Sequence, residues 1–202
     1  MAGNSSIALS IVFALALSPG AWGPTMKPQK LGARAVADAR IGQITRVAML
    51  DVFRKRHAVR AYQSRPVPPE VLADILDAAN SAPSAGGLKA REILVVTDAE
   101  TRRRLAVAAH NQTFVGLAPV VLVFWAVPSR SAAQYGERGR DLFALQDASI
   151  ATSFAWIQAV GSGLGACWVG AFDDDAVNEI FRGKIGRDWR PIALLPIGYP
   201  AE

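Results

Sequence analysis

Short apolar runs alternate along the chain with stretches whose hydrophobic positions recur at helical spacing. Residues 118–127, apolar throughout and punctuated by Pro119 and then Pro128, predict a buried strand. Ile93, Leu94, Val95 and Val96 place a second strand at 92–97, and the runs 167–172 and 190–199 supply two more. Helical periodicity covers 35–56, through Val36, Ile41, Ile44, Val47, Leu50 and Phe53. Pro68 and Pro69 open a helix running to about Asn80, since proline is tolerated in a first turn. Asp98 and Asp173 stand where a carboxylate can accept the free amides of a first helical turn, predicting helices to His110 and to Phe181. A longer helix, 137–160, spreads Leu142, Phe143, Ala148, Phe154 and Ile157 around its cylinder. It therefore needs cover on more than one side, for which a partner subunit is a natural source. Four strands interspersed with helices make an α+β protein.

The 202 residues, 51% of them hydrophobic, suit one domain with a sizeable core. The formal charge of +5 is unevenly placed. Lys27, Lys30, Arg34, Arg40 and Arg46 against Asp38 put four of those charges before residue 49, and the rest of the chain carries 17 basic and 16 acidic side chains. A nucleic-acid partner is not expected of so neutral a body. One cysteine, Cys167, forbids an internal disulfide, and His57 and His110 lack metal-ligand spacing. Residues 1–34 form a leader and linker ahead of a domain at 35–202. The apolar run 7–17 followed by Ser18, Pro19 and Gly20 looks like a signal peptide, but no basic residue precedes it. It is also too short to span a bilayer, which takes roughly 20 apolar residues. The expectation is a cytoplasmic protein without a stable membrane span.

Three segments could carry chemistry. Arg54 to Tyr62 is the densest cationic stretch: either a solvated helix end, or a clamp in which Arg56 and Arg60 offer guanidinium forks to phosphate oxygens. The turn Ala82-Pro83-Ser84-Ala85-Gly86-Gly87-Leu88-Lys89 joins a helix to a strand, and its small residues would let backbone approach a planar ring. Gly161-Ser162-Gly163-Leu164-Gly165 is no dinucleotide fingerprint, because it follows a helix and precedes a strand; it ends the helix. Cys167 reads as a small core residue, Asp173-Asp174-Asp175 as a cap rather than a metal cluster, and Asp147 and Glu92 as acids or structural partners.

In this order, Arg56-His57-Ala58-Val59-Arg60-Ala61-Tyr62, Ala82-Pro83-Ser84-Ala85-Gly86, Ala118-Pro119-Val120-Val121, Gln146-Asp147-Ala148, Gly163-Leu164-Gly165 through Trp168-Val169-Gly170-Ala171-Phe172, and Leu195-Pro196-Ile197-Gly198-Tyr199-Pro200 resemble the nitroreductase family of FMN oxidoreductases. The resemblance implies a mixed sheet flanked by helices, and an intertwined homodimer built around long central helices with FMN shared between subunits. It also implies site residues. Arg56, His57, Ala58 and Arg60 match the phosphate and ring contacts; Pro83, Ser84 and Ala85 match the loop supplied by the second subunit; Val169, Gly170 and Ala171 match the segment near flavin N5.

By the same resemblance, NADH or NADPH reduces the flavin, which then reduces a small nitroaromatic, quinone or similar acceptor in a two-step ping-pong cycle. No protein acid or base is implied. A flavin reductase or dehalogenase on the same fold, or a non-catalytic FMN-binding dimer, is the alternative. Members often read Gly-Asn-Leu-Gln where this chain has Gly86-Gly87-Leu88-Lys89, so Gly87 lacks a side-chain amide while Lys89 adds a charge that could stabilise anionic reduced flavin. Members also tend to continue past the Tyr199-Pro200-Ala201-Glu202 segment with a basic stretch that helps hold the phosphate. Weaker FMN binding than is usual for the family, or compensation by Lys89, is the expectation.

Overall fold

An apolar residue at every strand position is stable only where both faces of a sheet are covered. The 118–127 run meets that condition. In the computed structural model, which describes residues 49–201, it forms a strand at Val120–Ala126 with every residue buried. Val121, Val123 and Trp125 point into one core layer with Leu105, Val115 and Val177. Val120, Leu122 and Phe124 point into the other with Ile75, Ala151 and Ala155. The indole of Trp125, fully buried, donates from Nε1 to Asn178 Oδ1 at 3.1 Å and meets Phe181 edge-on at 5.1 Å.

Residues 49–55 are helical. The elements that follow are α1 (Pro69–Ser81), β1 (Arg91–Val96), α2 (Ala99–Ala108), α3 (Thr113–Leu117), β2 (Val120–Ala126), α4 (Pro128–Arg138), α5 (Ala144–Gly161), β3 (Gly165–Ala166), α6 (Asp174–Ile180) and β4 (Arg190–Gly198). A 3-10 turn, Ala85–Gly87, precedes β1, and a π-helical turn, Gly139–Phe143, joins α4 to α5. The sheet runs β1-β2-β4-β3, and each named pair is antiparallel. The mixed character expected of it is confined to a parallel bridge from Ala58 to Ala166, beyond β3.

The predicted caps form as expected. Asp98 accepts from the Thr101 amide at 2.7 Å and Asp173 from the Ala176 amide at 2.9 Å. One expectation needs correction. The run 167–172 is not a continuous strand: the regular ladder stops at Ala166, and afterwards the Cys167 amide donates to the Pro196 carbonyl at 3.3 Å and Val169 bridges to Leu194. Its hydrophobic residues Cys167, Val169 and Phe172 pack into a core layer as side chains, so apolar composition there reports burial rather than a regular strand. The helix expected at 137–160 forms, with a π turn inside it. Gly136, at φ 56° and ψ −141°, kinks the chain, the π-turn follows, and α5 runs from Ala144 to Gly161. Helices α3 and α4 escaped the periodicity, α4 because Pro128 reads equally as a strand boundary and as a first-turn residue.

The apolar run 7–17, the linker and the first part of the helix expected from residue 35 lie outside the described residues. Among the described residues, no helix is long and apolar enough to cross a membrane.

Candidate functional site

The helical residues 49–55 run out into an extended segment that reaches the β3 edge of the sheet. There Ala58 bridges to Ala166, and the Val59 amide donates to the Ala166 carbonyl at 3.1 Å. Tyr62 pins the segment's far end, its hydroxyl donating to the carbonyls of Val59 (2.6 Å) and Pro196 (3.1 Å). Arg56 and Arg60 project from this main-chain frame. The Arg56 guanidinium lies 4.5 Å from the centroid of the Trp156 ring, within cation–π range, so α5 orients it. Arg60 is exposed, 5.9 Å from the Phe114 ring, and its charge acts on Cys167. Neither arginine has a carboxylate partner among the described residues. The exposed His57 ring must donate from Nδ1 to the Lys55 carbonyl, 2.8 Å away, because a carbonyl can only accept.

Val169, Gly170 and Ala171 adjoin this edge. Val169 exchanges two backbone bonds with Leu194, at 2.9 and 3.0 Å, and is buried. Gly170 and Ala171 are exposed, and their amides take no backbone partner among the described residues. Gln112 holds Ala171 from the other side, donating from Nε2 to its carbonyl at 3.0 Å. Cys167, 2% exposed, is pushed up from the ordinary thiol range by burial, and the charge of Arg60 offsets this only in part. A protonated, buried thiol suits the expected core role and not a nucleophile.

Pro83, Ser84, Ala85, Gly87 and Lys89 form a second group elsewhere. Their loop leads into β1 at Arg91, which pairs with Ala126 and through it with Arg190. Ala58 lies beyond β3, level with Ile197 and Val120. Four strand spacings of about 4.8 Å separate the two groups across the sheet, and six residues of about 3.3 Å along it. They therefore occupy diagonally opposite corners, roughly 20 Å apart in each direction. A hollow of about 590 Å³ lined by Arg103, Val107, His110 and Ile180 touches neither group, and one of about 360 Å³ touches only Lys89 of the second.

The loop is held by side chains. Asp147 of α5, buried, accepts from the amides of Ala85 (3.0 Å) and Ala90 (2.9 Å). Ser84 Oγ accepts from the Lys89 amide at 2.9 Å. Arg130 of α4 donates to the carbonyls of Lys89 (2.6 Å) and Arg91 (3.1 Å) and pairs with Glu92. Gly87 sits at φ 71° with open space where a side chain would lie. Sequence reasoning left Asp147 and Glu92 undecided between acids and structural partners, and the structure makes both structural. It missed Trp156, Phe114, Gln112 and Arg130 altogether. No spacing signals them, because each comes from a remote element.

The donor set fits FMN. Two guanidinium groups without carboxylate partners suit a phosphate, and exposed amides at Gly170 and Ala171 suit the polar edge of a flavin ring.

Comparison with known proteins agrees. Residues 53–199 match the sequence profile described as the Nitroreductase family. The chain is 33% identical over 175 residues to the NADH dehydrogenase of Thermus thermophilus, covering 73% of this chain and 84% of that one. It is 28% identical over 156 residues to an FMN reductase of Bacillus subtilis that uses NAD(P)H, covering 72% of this chain and 63% of that one. Among solved structures, an FMN-dependent nitroreductase from Clostridium difficile R20291 superimposes with a TM-score of 0.64 at 29% identity, covering 75% of this chain and 87% of that one. Profile, relatives and fold converge: the chain belongs to the nitroreductase family.

Proposed function

We propose that the chain is an FMN-dependent oxidoreductase that passes electrons from NADH or NADPH to a small nitroaromatic, quinone or similar acceptor, and that two copies complete each flavin site. Family membership makes it an NAD(P)H-dependent oxidoreductase. The observation that carries the flavin assignment is the corner at 56–60 and 169–171, where two arginines without carboxylate partners among the described residues and two exposed amides share one sheet edge.

Bound FMN supplies the hydride chemistry, and the protein supplies position and electrostatics. Arg56 and Arg60 hold the phosphate, Trp156 fixing the direction of the first. The Gly170 and Ala171 amides donate to the polar ring edge, held in place by Val169 and Gln112. Ser84, Ala85 and Lys89 reach the ring from the second copy, Lys89 bringing positive charge where reduction adds negative charge. Electron donor and acceptor use one pocket in turn, in two half-reactions.

The diagonal placement of the two groups supports the shared site, since one chain leaves them roughly 20 Å apart along each sheet direction. Exposed Leu50, Phe53 and Phe154 offer apolar surface for the partner. Val52 packs near Gly161 and Arg56 near Trp156, so these residues lie alongside α5. Free flavin as the acceptor is a second reading, favoured by the likeness to FMN reductases.

Purified full-length protein should be yellow and should bleach anaerobically on adding NADH or NADPH, with sedimentation showing a dimer. Colourless protein that ignores added FMN overturns the assignment. A monomer that binds FMN fully overturns the shared site.

A further inference from the structure

Asp147 is 2% exposed, yet the flavin chemistry gives it no task. A buried carboxylate is costly unless it is hydrogen-bonded and balanced by charge. This one is satisfied by two amides that bracket the 85–90 segment, one on each carboxylate oxygen. Its charge also lies close to buried Arg91, whose Nη2 donates to the Ala79 carbonyl at 2.7 Å and to that of Asn80 at 3.3 Å. Arg91 thus holds the end of α1 before the loop, Asp147 holds the loop itself, and Arg130 grips the Lys89 and Arg91 carbonyls from the opposite flank.

The clamp works against a backbone that would otherwise relax. Gly86, Gly87 and Lys89 all have positive φ, of 58°, 71° and 48°. For Lys89, which has a Cβ, that conformation is strained. Such a residue stays left-handed only where its surroundings over-determine it. The bonds to Ala85 and Ala90 flank the strained position on both sides.

We infer that Asp147 is a positioning residue for FMN: it fixes the left-handed loop in the shape that presents Ser84, Ala85 and Lys89 to the flavin, and so sets FMN affinity without touching the cofactor. The inference rests on the flavin reading above. A carboxylate is required because it only accepts, whereas an asparagine amide would turn a donor toward one of the two amide donors.

The test is D147N in the full chain. FMN affinity is measured by flavin-fluorescence quenching on folded protein, thermal unfolding is followed in parallel, and amide exchange is followed by NMR without cofactor. The expected result is an FMN Kd raised at least tenfold, with fast exchange at Ala85 and Ala90 and unchanged protection at Val169 and Leu194. A Kd within twofold of the unsubstituted protein overturns the inference, even if D147N melts earlier. Should D147N yield no folded protein, exchange in the unsubstituted chain decides. Protection of the Ala85 and Ala90 amides comparable to the sheet supports the clamp, and exchange at open-loop rates overturns it. If the unsubstituted chain takes up no FMN, the flavin reading falls and the affinity role with it; FMN held equally well by both proteins removes only the role of Asp147.

Discussion

The two corners that carry the proposed flavin contacts are built by different means. At 56–60 and 165–171 the frame is chiefly main chain: Ala58 and Val59 pair with Ala166 and Val169 pairs with Leu194, with Tyr62 and Gln112 adding side-chain bonds at its ends. At 83–89 the frame is side chain, with Asp147, Ser84 and Arg130 holding a loop in left-handed conformations. Main-chain pairing depends little on residue identity, so the first corner should tolerate substitution of what it presents while keeping its shape. A side-chain frame fails when one member is lost. The same task, presenting donors to one ligand, is therefore robust at one corner and fragile at the other.

The largest effect should come from what the first corner presents. Removing both guanidinium groups with R56A/R60A deletes two charge-assisted contacts worth about 1.5–3 kcal/mol each. FMN titration should show a Kd raised by about a hundredfold to ten-thousandfold, with the melting temperature nearly unchanged. A large loss of stability instead would mean that these arginines belong to the frame.

Next come the frames themselves. Alanine at Gly165 would set its Cβ 2.6 Å from Val59 Cγ2, prising the 58–59 segment from β3. Urea unfolding of G165A should show a loss of about 1–3 kcal/mol. At the other corner, a Cβ on Gly86 meets the Tyr135 hydroxyl in addition to its positive φ. G86A should cost about 1–2 kcal/mol for the backbone alone, plus a steric part that Y135F relieves. Equal unfolding of G86A and G86A/Y135F would show that the hydroxyl is not the obstacle.

A gain should follow from G87N. Asparagine is among the residues that accept left-handed φ, and nothing lies within 4 Å of the new Cβ. Restoring a side-chain amide should tighten FMN about three- to tenfold, read in the same titration; no change would place Gly87 away from the flavin.

The smallest effect is alkaline. Burial raises the Cys167 thiol and the Tyr62 phenol above their ordinary values, so the unfolded chain loses those protons first as pH rises. Stability from the neutral groups is complete below the unfolded thiol range and declines as pH climbs through and above it. Melting curves from pH 7 to 10 should fall more steeply for the unsubstituted protein than for C167A. Parallel curves would deny the thiol any share.

Local chemistry made much of this legible. The apolar runs became β1, β2 and β4 within two residues of expectation, and Asp98 and Asp173 cap as their position before a helical run requires. Expectation failed where one signal serves two structures. The apolar 167–172 run packs its side chains without forming a regular strand, and Pro128 opens a helix where it read as a strand's end. Gly87, which lacks a side-chain amide, also meets a backbone demand at φ 71° without steric cost, which no neighbour in sequence signals.

The α+β class and most elements could be read from the chain alone, because periodicity, capping and composition are properties of neighbours along it, and the residues proposed to meet a flavin were named there from a family resemblance. Only the tertiary structure decided that those residues fall at opposite corners of one sheet, that Trp156 backs Arg56, and that Asp147 reaches 57 residues back to Ala90. Strand order and helix packing fix those distances. Both arise from burying two apolar faces at once, which no local pattern encodes.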